Sequence, residues 1–213
     1  MSGKFITFEG LDGSGKTTII RKVIEFLNQT VMKDQFIYTR EPGGNRISEA
    51  IREIILSKQN TAMDARTEAL LYAAARRQHL VETVLPALDA GQLVLSDRYV
   101  DSSLVYQGAG REIGMQKIAA INEFATDGLT PDLTIYFEVE PQVGLARIQQ
   151  NRQDEVNRLD EEQIDFYERV HSGYLKLAQE NPNRIKVVDA SRSIEEVKAE
   201  VLAIIKEFLG LKG

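Results

Sequence analysis

The chain has 213 residues, with 26 Lys and Arg against 32 Asp and Glu for a formal net charge of −6, no cysteine and two histidines. That length accommodates one domain, or one domain with an insertion, around a full two-layer core. Disulfides and thiolate metal sites are excluded, a histidine-based zinc site is unsupported, and the acidic balance argues against a sequence-independent hold on nucleic acid.

No apolar run approaches the roughly 18 residues a membrane span needs, and the first eight residues carry no charged-then-apolar export signal. A cytoplasmic protein without a membrane partner is therefore expected. No internal repeat is present. Short apolar runs alternate with helical patterns, the signature of βαβ units around a parallel sheet. Phe5, Ile6, Thr7 and Phe8 predict a buried strand, after which Ile19, Ile20, Val23, Ile24 and Leu27 recur at helical spacing. Residues 36–39 predict a second strand, stopped by Pro42, Gly43 and Gly44. Ile47, Ile51, Ile54 and Ile55 continue as a helix to about Ser57. A long helix is expected from Asp64, a good N-cap, to Ala90, where Gly91 ends it. Pro86 predicts a kink or break near Leu85. Residues 93–96 predict a third strand, buried throughout, ending in Asp97, Arg98 and Tyr99.

Helices are expected over 101–107 and 115–126, a fourth strand over 133–139, and a helix from Pro141 to about Asn151. The charged, apolar-poor stretch 152–160 reads as exposed loop. A helix over 161–179, a fifth strand over 185–188 and an amphipathic helix carrying Ile194, Val197, Val201, Ile205 and Phe208 complete the pattern. Five strands joined through helices on both faces predict an α/β fold, a three-layer doubly wound parallel sheet. Ligands of such sheets sit beyond the carboxyl ends of the strands. The polar clusters after the first three strands would then meet in one crevice.

Between the first strand and the first helix, Gly10, Gly15, Lys16 and Thr17 match G-x-x-x-x-G-K-[ST], with Leu11, Asp12, Gly13 and Ser14 as the variable residues. Glycines let the backbone take φ > 0 and approach an anion. Successive N–H groups and the free donors of the helix N-terminus then face the phosphates. Lys16 would add a point charge at the β- and γ-phosphates, and the Thr17 hydroxyl a ligand for Mg²⁺. The bland alternative is a glycine-rich turn with an incidental Lys-Thr pair; the strand before and the helix after favour the phosphate loop.

Asp97 ends a hydrophobic strand, which suits it to hold Mg²⁺ opposite Thr17 rather than merely cap a loop. Arg98 and Arg40 end neighbouring strands, where guanidinium forks match a second phosphate. Taken singly, each would read as a surface or salt-bridged residue. Tyr72 and Arg76, at i and i+4, share a helix face and could stack a base and bond its edge, or else divide between core and surface. Arg147, Arg152 and Arg158 mark a charged stretch that is either solvated loop or an arginine-bearing lid closing over ATP. No strong general base is needed for a phosphate acceptor. The Asn-Lys-x-Asp tetrapeptide of a GTPase does not occur, and an ATPase motor stays open.

Along nearly its whole length the chain resembles the bacterial thymidylate kinases of the nucleoside monophosphate kinase group. The resemblance is carried by Phe8-Glu9-Gly10-Leu11-Asp12-Gly13-Ser14-Gly15-Lys16-Thr17-Thr18, Thr39-Arg40-Glu41-Pro42-Gly43-Gly44, Leu71-Tyr72-Ala73-Ala74-Ala75-Arg76 and Asp97-Arg98-Tyr99. It continues through Ser102-Ser103-Leu104-Val105-Tyr106-Gln107-Gly108, Pro131-Asp132-Leu133-Thr134 and Asn157-Arg158-Leu159-Asp160.

It implies a single P-loop kinase domain over 1–213 with a lid at about 147–160, phosphorylating dTMP to dTDP from ATP with Mg²⁺. Another deoxynucleotide or deoxynucleoside kinase, or a P-loop ATPase or switch, is the alternative. Gly10 to Thr17 would hold ATP. Arg98 and Arg40 would hold the dTMP phosphate, with Glu41 and Arg52 in the same acceptor set. Asp12 would lie near the sugar, Tyr72 would stack on thymine, Arg76 would bond its edge, and Ser103 and Gln107 would form the opposite wall. Thr17 and Asp97 would hold the metal. Some relatives carry a catalytic arginine inside the phosphate loop; none stands at Gly13 or Ser14. Beside Lys16 and Arg98, the catalytic candidates are therefore Arg147, Arg152 and Arg158 of the lid. Relatives are homodimers, which implies a homodimer here.

Overall fold

The computed structural model describes residues 3–151 and 162–211. Its five strands are β1 (Lys4–Gly10), β2 (Phe36–Arg40), β3 (Leu93–Asp97), β4 (Leu133–Glu138) and β5 (Ile185–Asp189). They form one parallel sheet in the order β2-β3-β1-β4-β5. The three central strands are buried almost throughout, while β2 and β5, at the edges, are only partly covered. That is what helices on both faces of a parallel sheet require. Side chains of β1 alternate: Ile6 and Phe8 enter the larger apolar cluster with Ile20 and Val23, whereas Phe5 joins a smaller one with Val94, Leu80 and Val84.

Helices α1 (Lys16–Leu27), α2 (Arg46–Leu56) and α3 (Ala65–His79) follow the expected pattern. Asp64 caps α3, accepting from the backbone N–H groups of Arg66 and Thr67 at 3.0 and 3.1 Å. The kink or break expected near Leu85 takes the form of a widened turn. A π-helical turn, Leu80–Val84, joins α3 to α4 (Leu85–Asp89). Pro86 has no N–H to give the carbonyl four residues back, and its ring clashes there, so the turn above it opens. The helix expected over 101–107 is a short α5 (Val100–Ser103) continued by a second π-helical turn, Leu104–Gly110.

Helix α6 (Met115–Thr126) and α7 (Pro141–Asn151) have the predicted bounds. Helix α8 (Ile164–Glu180) begins three residues later than expected, and α9 (Ile194–Leu209) closes the fold behind a Ser193–Glu196 capping box. The lid expectation over 147–160 divides: 147–151 belong to α7, and the remainder, with Arg152 and Arg158, lies outside the described residues.

Candidate active site

Because β2, β3 and β1 are neighbours, Arg40, Asp97, Arg98 and the loop after Gly10 emerge side by side. Two clefts open there. One, of about 260 Å³, is lined by residues that include Arg40, Arg52, Tyr72, Arg76, Arg98 and Gln107. The other, of about 530 Å³, runs over residues 11–19 and is flanked by Arg147, Ala190 and Arg192. Asp12, Lys16 and Thr17 line both.

The loop is shaped by its glycines and by α7. Gly13 has φ +80°, and a Cβ there would stand 2.2 Å from the Gly144 carbonyl oxygen. Only glycine lets loop and helix approach so closely. Lys16, buried at the head of α1, places its ammonium against the Asp97 carboxylate. The Thr17 side chain is exposed beside it. The Ser14 hydroxyl is buried with no protein partner among the described residues, although buried hydroxyls ordinarily find one.

Beside the smaller cleft, Arg98 itself holds a left-handed conformation, φ +73°. Its guanidinium donates to Asp12 at 2.9 Å and to the Ser102 hydroxyl at 3.0 Å, and it lies 5.0 Å from the centre of the Tyr106 ring. Burial by itself would lower the pKa of Arg98, but Tyr106, Asp12, Tyr174 and Asp97 together carry it well above the usual value. Arg40 grips both Glu49 oxygens, at 2.8 and 3.0 Å, and the Pro42 carbonyl at 2.9 Å. A Cβ on Gly43 would meet Glu49 at 2.4 Å, so the glycine permits that clasp. Arg52 also reaches the Pro42 carbonyl, at 3.0 Å. Burial and then the neighbouring Arg40 lower the Arg52 pKa, the mark of cations gathered at one spot.

Arg76 is 2% exposed and spends four of its N–H groups inside the protein, on Glu41, Ser103, Asn122 and the Tyr99 carbonyl. A guanidinium has five, and Arg76 also lines the first cleft. Glu41 is committed to Arg76 at 2.7 Å and to His79 at 3.1 Å, and His79 is held in turn by Thr39 at 2.6 Å. Gln107 donates to the buried Glu68 at 2.9 Å. Tyr72, half-buried, lines the first cleft. Arg147 stands in the second cleft instead, bonded to the Ala190 carbonyl at 3.1 Å.

Sequence reasoning missed the support beneath these residues. Glu9 is completely buried and takes donors from Tyr99, Ser102 and Tyr174. Asp101 is clasped by Arg184 at 2.6 and 2.9 Å. The one signal for Glu9 was a carboxylate ending a run of strand residues; Arg184, 83 residues from Asp101, had none.

A phosphate loop whose lysine and threonine open onto two clefts, with guanidinium groups crowded into one of them, defines a P-loop nucleoside monophosphate kinase. A family model described as thymidylate kinase matches residues 8–201. The thymidylate kinase of Ligilactobacillus salivarius is 61% identical over 98% of this chain and 100% of its own length, and that of Enterococcus faecalis is 58% identical over 98% of each. The crystal structure of thymidylate kinase from Ehrlichia chaffeensis superposes with a TM-score of 0.78 at 31% identity, covering 97% of this chain and 99% of that one. The chain belongs to the thymidylate kinase family, and its reaction is phosphoryl transfer from ATP to dTMP.

Proposed function

We propose that ATP lies along the loop cleft, dTMP fills the arginine-lined cleft, and the phosphoryl group passes directly between them, in line and without a covalent enzyme intermediate. The observation that carries this reading is the sharing of Asp12, Lys16 and Thr17 by both clefts. Lys16 moves its charge from Asp97 to the transferring phosphates. Arg98, with Arg40 and Arg52, holds the dTMP phosphate; Asp12 orients Arg98 and faces the sugar. Tyr72 stacks on thymine, and Arg76, Ser103 and Gln107 wall in the base, with Glu41 holding Arg76 in place.

Thr17 and Asp97 offer a hydroxyl and a carboxylate, the hard oxygen donors that suit Mg²⁺. The bound ion would neutralise charge on the transferring phosphates. Arg147, Arg152 and Arg158 are the lid candidates of this single domain, delivering positive charge and excluding water on closure. In the cytoplasm such a kinase supplies dTDP for dTTP synthesis, and among the described residues no helix is long and apolar enough to cross a membrane.

Purified protein given ATP and Mg²⁺ should phosphorylate dTMP and leave dCMP and thymidine largely untouched. Turnover of those two at the dTMP rate would sink the acceptor assignment. A P-loop ATPase without an acceptor would hydrolyse ATP whether or not dTMP was present, and it leaves Arg40, Arg52 and Arg98 without a purpose.

A further inference from the structure

Glu9 lies on neither cleft and has no exposed surface. It ends the β1 face that carries Phe5 and Thr7, in register with Tyr136 of β4. Its donors all belong to the frame around Arg98. One carboxylate oxygen accepts the Tyr99 backbone N–H at 2.8 Å, the residue directly after Arg98. The other accepts the Ser102 hydroxyl at 2.5 Å and the Tyr174 hydroxyl at 2.8 Å. With its hydrogen given to Glu9, the Ser102 oxygen is left as an acceptor, and Arg98 donates to it at 3.0 Å. The Arg98 backbone is fixed from the other side by its own N–H on the Phe8 carbonyl at 2.9 Å. A non-glycine residue at φ +73° persists only where its surroundings over-determine it.

We propose that Glu9 is a positioning residue for Arg98: its carboxylate pins the left-handed turn through Tyr99 and, through Ser102, aims the guanidinium at the dTMP phosphate. This rests on the reading of Arg98 as phosphate ligand. The charged groups around Glu9 are Asp101 of α5, itself paired with Arg184, and Arg98; Tyr174 of α8 and Tyr106 complete its surroundings. Burial, with Asp101 adding to it and Arg98 opposing it, pushes the Glu9 carboxyl up to about 7. A protonated Glu9 must itself donate one hydrogen, so Ser102 or Tyr174 turns from donor to acceptor there and the hydroxyl presented to Arg98 is reoriented. Alignment of Arg98 therefore weakens as pH falls through about 7.

The test compares wild type, Glu9→Gln, Ser102→Ala, Arg98→Ala and the Glu9→Gln/Arg98→Ala double variant, in KM and kcat for each substrate from pH 6 to 8. Loss of one hydrogen bond to a charged group predicts a KM for dTMP raised about tenfold in Glu9→Gln, with the KM for ATP unmoved. The ratio of wild-type to Glu9→Gln KM for dTMP should change across pH 7, ionisation of dTMP itself cancelling in that ratio. In the Arg98→Ala background the Glu9 change should add nothing. Ser102→Ala should give the same selective rise, and stands in if Glu9→Gln does not fold. An unchanged KM for dTMP, equal losses for both substrates, or full additivity with Arg98→Ala would overturn the proposal. If Arg98→Ala itself leaves dTMP binding intact, it is the phosphate assignment that fails.

Discussion

Arg40, Arg52 and Arg98 face one cleft, and the anions beside them, Glu49 and Asp12, are already engaged. Burial first, and then the neighbouring Arg40, depress the Arg52 pKa, and a phosphate dianion arriving there would offset the second of these. Arg98→Ala should raise the Kd for dTMP, measured calorimetrically without ATP, by about 10- to 100-fold, the range for losing a charged hydrogen bond. An unchanged Kd would remove Arg98 from the phosphate site. Lys16 lies at the junction, against Asp97, and in the proposed mechanism its role is toward charge that develops only during transfer. Lys16→Ala should therefore collapse kcat while leaving the Kd for dTMP within a few-fold, and parallel losses in both would contradict that division.

Helices couple these residues to one another. The kink or break expected at Pro86 is a π turn, because a widened turn tolerates a missing N–H without ending the helix. Helix α7 meets the phosphate loop where Gly144 packs on Gly13, and it carries Arg147, which lines the loop cleft. Gly13→Ala places a Cβ 2.2 Å from the Gly144 oxygen and strains a φ of +80°. The cost should be about 1–3 kcal/mol, or roughly 2–4 °C in Tm for each kcal/mol. The KM for ATP should rise more than that for dTMP. A variant of native Tm and native ATP affinity would show that loop and helix do not constrain each other.

Over the whole molecule, α2, α3 and α6 pack in sequence on one side. They expose Ile47, Ile54, Leu70 and Phe124, the last 89% accessible. Exposed apolar side chains on successively packed helices suit an interface, and we propose that the homodimer implied by family resemblance uses this side. A symmetric dimer uses one patch twice, so a single substitution strikes it twice. Phe124→Glu should shift the protein toward monomer in sedimentation velocity at micromolar concentration with little change in fold by circular dichroism. A wild type that sediments as a monomer would exclude the dimer.

Much of this protein is local in origin. Five apolar runs, the glycine-lysine-threonine loop and the caps at Asp64 and Ser193 depend on neighbours in the chain, so the strands, most helix bounds and the phosphate loop are legible from residue order. The resemblance to thymidylate kinases rests on the same contiguous motifs. What residue order does not contain is which distant groups meet. The order β2-β3-β1-β4-β5 brings Arg40 beside Asp97. Packing across many tens of residues joins Glu9 to Tyr174, Asp101 to Arg184 and Arg76 to Asn122. These are buried or partly buried polar contacts whose strength comes from exclusion of water, and that exclusion exists only once the chain has folded.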